Sequence, residues 1–187
     1  MKKILILLLF PLQLIGQEVS NSEVFWDTLK RHCGKAYLGE IVAGGKKGDG
    51  FTGKKLVMHI RSCENNTIRI PFFVGENKSR TWIFKMNKEK LISLKHDHRH
   101  KDGSEDNITQ YGGLNTNTGL SDVQVFPADV HTGKLIPAAS TNVWWVTIDK
   151  TSFTYNLRRI GTDRFFSVKF DLTKEIKTPS APWGVEE

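Results

Sequence analysis

Asn142-Val-Trp-Trp-Val-Thr-Ile-Asp149, Ser152-Phe-Thr-Tyr-Asn-Leu-Arg-Arg159 and Arg164-Phe-Phe-Ser-Val-Lys-Phe-Asp-Leu172 follow one another with only short polar turns between them. In each run every second residue is apolar: Trp144, Val146 and Ile148; Phe153, Tyr155 and Leu157; Phe166, Val168, Phe170 and Leu172. Successive side chains of a strand point to opposite faces. A two-residue repeat sustained through three runs therefore describes a strand meander with one buried face.

The same repeat extends upstream. Runs at 36–43, 55–62, 67–74, 80–85, 91–100, 107–111 and 121–126 are separated by turn-rich segments such as Glu64-Asn-Asn66 and Lys101-Asp-Gly-Ser-Glu105, as Gly161-Thr-Asp163 separates two of the later runs. The total is about ten strands. One helix precedes them: Ser20-Asn-Ser-Glu23 has capping-box spacing, and Phe25, Leu29 and Cys33 recur every fourth residue before Gly34 stops the run. Even-spaced antiparallel strands must close or stack to hide their edges. The expectation is a mainly β protein, a closed antiparallel up-and-down barrel of about ten strands, with an N-terminal helix at 21–32 capping one end. One domain at 17–177 and a flexible C-terminal tail at 178–187 complete the plan. The longer connections, 112–120 and 126–141, are expected over a barrel mouth, where ligands enter.

Compartment follows from the start of the chain and its cysteines. Lys2 and Lys3 precede an apolar stretch, 4–15, too short to span a membrane comfortably, so residues 1–16 read as a signal peptide and the protein as secreted or periplasmic. Its removal takes the formal charge from +7 to +5. Lysines and arginines are interspersed with acids and form no basic stripe, which argues against nucleic acid as a partner. No stable membrane insertion is expected after cleavage. Cys33 and Cys63 are the two cysteines, and the Gly-rich turn 44–50 lies midway between them in sequence. Antiparallel pairing about that turn brings the two thiols together, and an exported protein permits the disulfide.

In strand count and leading helix the chain resembles the calycin-like group, the lipocalins and fatty-acid-binding proteins. Trp26 and Arg159 are similar in position to the early Trp and late Arg that pack across a lipocalin floor, although no Gly-x-Trp motif accompanies Trp26. The resemblance is one of architecture, and it implies a barrel that carries a small molecule. Phe25-Trp-Asp27 and His96-Asp-His-Arg-His100 also resemble uncharacterised secreted bacterial proteins, a likeness that implies no activity.

Sorting side chains by face places Arg80 with Trp82, His96 with Ile92 and Leu94, and Arg159 with Tyr155. Few acids share those rows. A guanidinium carried on an interior face requires a partner or water, so Arg80, Trp82, His96, His98, Tyr155 and Arg159 are the candidate ligand-binding residues. The expected partner is a small, anionic, partly apolar molecule. The competing placement for these residues is a solvated rim. Three histidines at alternate positions, His96, His98 and His100, form a second candidate: on a continuous strand they share a face and could hold Zn or another divalent transition metal. His98-x-His100 with Glu105 and Gly112 even resembles the end of the first cupin motif, which implies a metal-dependent enzyme. A structural envelope protein with a filled barrel is the third reading. No nucleophile elbow, zinc-protease helix, phosphate loop or dinucleotide fingerprint is present, and no catalytic residue is assigned.

Overall fold

A computed structural model describes residues 18–186. The expected signal peptide lies outside the described residues. A short helix α1, Asn21–Lys30, leads into strands β1 (Ala36–Ala43), β2 (Leu56–His59), β3 (Ser62–Glu64), β4 (Thr67–Val74), β5 (Asn77–Met86), β6 (Ile92–His98) and β7 (Tyr111–Leu114). After β8 (Val123–Pro127) come a small helix α2 (Val130–Leu135) and a 3-10 turn (Pro137–Ala139), then β9 (Asn142–Ile148), β10 (Ser152–Arg159) and β11 (Phe165–Ile176).

The strands form one antiparallel sheet in the order β7-β6-β5-β4-β2-β1-β11-β10-β9-β8, with β3 off this path on β4. Every link but one joins neighbours in the sequence of the wall, and the pairing of β11 with β1 curls the sheet into a nearly closed barrel. What remains is a seam between β7 and β8. It is sealed without a strand ladder: Gly112 N–H donates to Thr132 Oγ1 (2.7 Å), Thr132 Oγ1–H donates to the Gly112 carbonyl (2.8 Å), and Asp129 N–H donates to that same carbonyl (3.0 Å). Gly113 is indispensable to the approach, since a Cβ there would lie 1.7 Å from the Pro127 carbonyl oxygen.

Helix α1 starts as its sequence requires. The Ser20 side chain accepts from Glu23 N–H and Glu23 returns the bond to Ser20 N–H. Phe25, Trp26 and Leu29 are buried, and Ser22 Oγ–H donates to the Lys90 carbonyl in the β5–β6 turn. The helix thus plugs the end of the barrel where Phe84, Phe126, Phe153 and Phe170 fill the interior. It is shorter than expected and ends at Lys30, after which turns reach Cys33. The Cys33–Cys63 disulfide is present, with Cα atoms 6.3 Å apart, and anchors the end of the helix to β3.

Three expectations change. The run 55–62 is two strands, β2 and β3, because Ile60 still bonds Lys35 in continuation of the β1 pairing whereas Arg61 N–H donates to the Arg69 carbonyl of β4. Residues 107–110 are turn instead of strand, ending in Gln110 at φ +58°. The C-terminal segment is held to the barrel: Trp183 N–H donates to the Lys78 carbonyl, the Arg61 guanidinium donates to the Glu186 carbonyl, and Pro182 is buried.

Candidate functional site

The barrel is filled at the α1 end and hollow at the other. A cavity of about 480 Å³ occupies the open half, within the range of ligand sites in soluble proteins. Its walls are aromatic: Phe72, Trp82, Trp144 and Tyr155 are buried, and Phe51 and Phe166 are partly so. Trp82 is sandwiched with near-parallel planes between Phe72 at 4.7 Å and Tyr155 at 4.4 Å. Period-two alternation places these rings inside, and antiparallel register aligns them: Trp82 lies opposite Ile70 and His96, and Tyr155 lies opposite Val146 and Val168.

All six residues singled out as ligand-binding line this one cavity: Arg80, Trp82, His96, His98, Tyr155 and Arg159. The histidines form the polar floor. His96 Nδ1 lies 3.0 Å from the Tyr111 carbonyl, which can only accept, so Nδ1 carries the hydrogen. Nε2 then accepts from the Tyr155 hydroxyl at 2.7 Å. Tyr111 stacks on His96 at 4.5 Å, and its hydroxyl meets His98 Nε2 at 3.1 Å. Burial pushes the His96 pKa down to about 3, and burial, aided by the Arg80 charge, pushes that of His98 to about 4. Both imidazoles are neutral at neutral pH. Burial also lifts Tyr111 to about 12 and Tyr155 well above the ordinary phenol value.

The charges sit at the mouth. Arg80 is partly buried, braced by Asn77 Oδ1 at 3.0 Å and lying 5.2 Å above the Phe51 ring. Arg159 spends its Nε–H on Asn142 Oδ1 at 2.9 Å, and among the described residues its two terminal nitrogens have no hydrogen-bond partner. Arg164 and Lys46, both exposed, also line the opening. Burial lowers the pKa of Arg80, and burial together with the neighbouring Arg164 charge lowers that of Arg159. Among the described residues none of these three arginines has a carboxylate within ion-pair distance. Two acids do line the cavity, Asp49 and Asp163. Asp49 is occupied by its own loop, accepting from the backbone N–H groups of Lys46, Phe51 and Thr52, which hold its carboxyl well below the usual range.

The three-histidine metal site is not formed. Strand β6 ends at His98; Arg99 makes only an isolated bridge to Glu105, and His100 is exposed in the turn beyond. His96 has both ring nitrogens engaged. Among the described residues no group of three or more His, Cys, Asp or Glu side chains comes together as metal ligands. The cupin-like spacing fails with it, since Glu105 pairs with Arg99 on the surface at 2.9 Å. The lipocalin-like pairing is also corrected. Trp26 belongs to α1 at the plugged end, whereas Arg159 lines the open mouth at the other.

Sequence reasoning missed Arg164, Lys46, Phe51, Tyr111 and Asn142. Asn142 shares the inward phase of Trp144, Val146 and Ile148, so alternation could have found it. Lys46 and Phe51 come from the Gly-rich 44–55 loop, which carries no periodic signal. Of the two long connections, 128–141 lies over the cavity mouth, contributing Ile136 and Ala139 to its lining, while 115–122 lies beside α1, where Asn21 Nδ2 donates to the Gly119 carbonyl. No protein-family model, curated protein or solved structure matches the chain, so the role of the cavity has to be argued from its own chemistry.

Proposed function

We propose that the barrel binds a small amphipathic anion, the apolar body stacked among Trp82, Trp144 and Tyr155 and the charged head held at the mouth by Arg80, Arg159 and Arg164. One observation carries this reading: three guanidiniums surround an aromatic cavity with no ion-pair partner within reach among the described residues. Grouping like charges at a partly desolvated opening is unfavourable in the empty protein, and an anion relieves it while gaining fork-like hydrogen bonds. The hollow half argues against a purely structural, filled barrel. The disulfide supports an oxidising, exported setting, and the ten-strand meander of the wall supports the calycin-like comparison at the level of architecture.

Paired probes test the proposal. 1-Anilinonaphthalene-8-sulfonate and N-phenyl-1-naphthylamine share their ring system and differ by the sulfonate. Titration of the folded protein is expected to show the sulfonate bound about tenfold or more tightly than the neutral amine, with the advantage shrinking as salt rises. Equal affinities, or no saturable binding of either, would remove the anion site.

A further inference from the structure

The balance of charge at the mouth bears on the head group itself. Four cationic side chains line the cavity, Lys46, Arg80, Arg159 and Arg164, against two carboxylates, Asp49 and Asp163. Two positive charges are left over, and the floor does not alter the count because His96 and His98 are neutral. The arginines also act on the same place. Arg80 and Arg164 both influence the Tyr111 hydroxyl, opposed there by Asp106, which does not line the cavity, and Arg164 also influences Tyr155 and Arg159. A singly charged head would leave one excess cation at this opening.

The donors point the same way. Among the described residues Arg159 has two unengaged terminal nitrogens, Arg80 is fixed through one nitrogen by Asn77 and Ser79, and Arg164 has no side-chain hydrogen bond. Planar guanidinium forks suit a compact group with several equivalent terminal oxygens. Below them lies the aromatic body of the cavity, closed at the α1 end, so the rest of such a ligand enters first and its head remains at the rim.

We infer that the site is built for a doubly charged oxyanion carried on an apolar or aromatic body, in its compact form a phosphate monoester. This rests on the amphipathic-anion reading above and adds the charge of the head group. The geometry demands no bond-breaking step, and binding alone is assigned.

1-Naphthyl phosphate and naphthalene-1-sulfonate separate the two levels. Their ring systems match and both heads are tetrahedral, but near pH 8 the phosphate is a dianion and the sulfonate a monoanion. Quenching of tryptophan emission by each ligand reports binding, since Trp82 and Trp144 line the cavity. The phosphate is expected to bind about tenfold tighter near pH 8, as one extra unit charge among close cations implies. Near pH 5 it carries one charge, its second pKa being about 6, and the two ligands should then bind alike. The floor imidazoles titrate at about 3 and about 4, and loop hydrogen bonds hold the Asp49 carboxyl well below the usual range, so a loss between pH 8 and pH 5 is assigned to the ligand. Arg164→Gln, in an exposed loop, should erase most of the preference, while Lys88→Gln at the opposite end leaves it intact. Equal binding of phosphate and sulfonate near pH 8 overturns the dianion inference and leaves the anion site standing. Failure of both to bind overturns both.

Discussion

Acidification from pH 7 to pH 5 should destabilise the protein by an amount set largely by two buried imidazoles. In the unfolded chain His96 and His98 titrate near 6.5; in the folded barrel burial lowers them to about 3 and about 4. The unfolded state therefore binds more protons throughout this window, and stability falls as pH falls. Each unit of separation is worth about 1.4 kcal/mol, and at pH 5 the unfolded imidazoles lie about 1.5 units past their titration point while the folded ones have barely begun. The cost is roughly 2 kcal/mol per residue and roughly 4 kcal/mol for the pair. His59 and His32, whose pKa values burial also lowers, contribute in the same direction. The carboxylates stabilised by folding act in a lower window: Glu23 and Asp171, held at about 2, lose their contribution only as pH drops below the ordinary carboxylate value of about 4. Urea unfolding followed by tryptophan fluorescence at a series of pH values measures the slope, and His98→Gln should remove about 2 kcal/mol of the pH 7 to pH 5 difference. A stability that is flat or rising on acidification to pH 5, or a slope unchanged in His98→Gln, would refute the placement of neutral imidazoles in the floor.

Three further outcomes are expected. Gly113→Ala drives a methyl into the Pro127 carbonyl across the β7/β8 seam; separating the edges forfeits the three hydrogen bonds of Gly112 with Thr132 and Asp129, about 3 kcal/mol at about 1 kcal/mol each, and a change in urea stability below about 0.5 kcal/mol would show that the seam is not closed this way. Replacing Cys33 and Cys63 together by Ala should lower stability by roughly 3 to 4 kcal/mol on the loop-entropy model, a drop of about 10 °C in Tm for a domain of this size; an unchanged Tm would mean the crosslink constrains nothing. Tyr155→Phe strips the donor from buried His96 Nε2 and should cost about 1 to 3 kcal/mol, so a neutral result in urea unfolding would place that hydroxyl elsewhere.

What could be read from the sequence follows its periodicity. Alternation within strands put Trp82, His96, Tyr155 and Arg159 on interior faces, and all four line the cavity. The step that failed was extending β6 to His100, because alternation persists on paper after the ladder stops at His98 and the chain turns toward Ser104. Helix α2 lies in a segment expected only as a long connection, although Asp129 capping Thr132 N–H is a local signal of a helix start. The part of the rim built from loops could not be read. Lys46, Phe51 and Arg164 reach the mouth from turns whose position depends on how the sheet closes, and closure depends on the β7/β8 seam, a contact between tertiary neighbours with no ladder to announce it.

The most direct test of the proposed site is a nuclear magnetic resonance titration of the isotopically labelled protein with naphthalene-1-sulfonate, following indole and guanidinium N–H signals. Saturable shifts are expected at Trp82, Trp144, Arg80 and Arg159, with the indoles of Trp26 and Trp183 still. Shifts confined to residues outside the cavity, or an unchanged spectrum at saturating probe, would contradict the account.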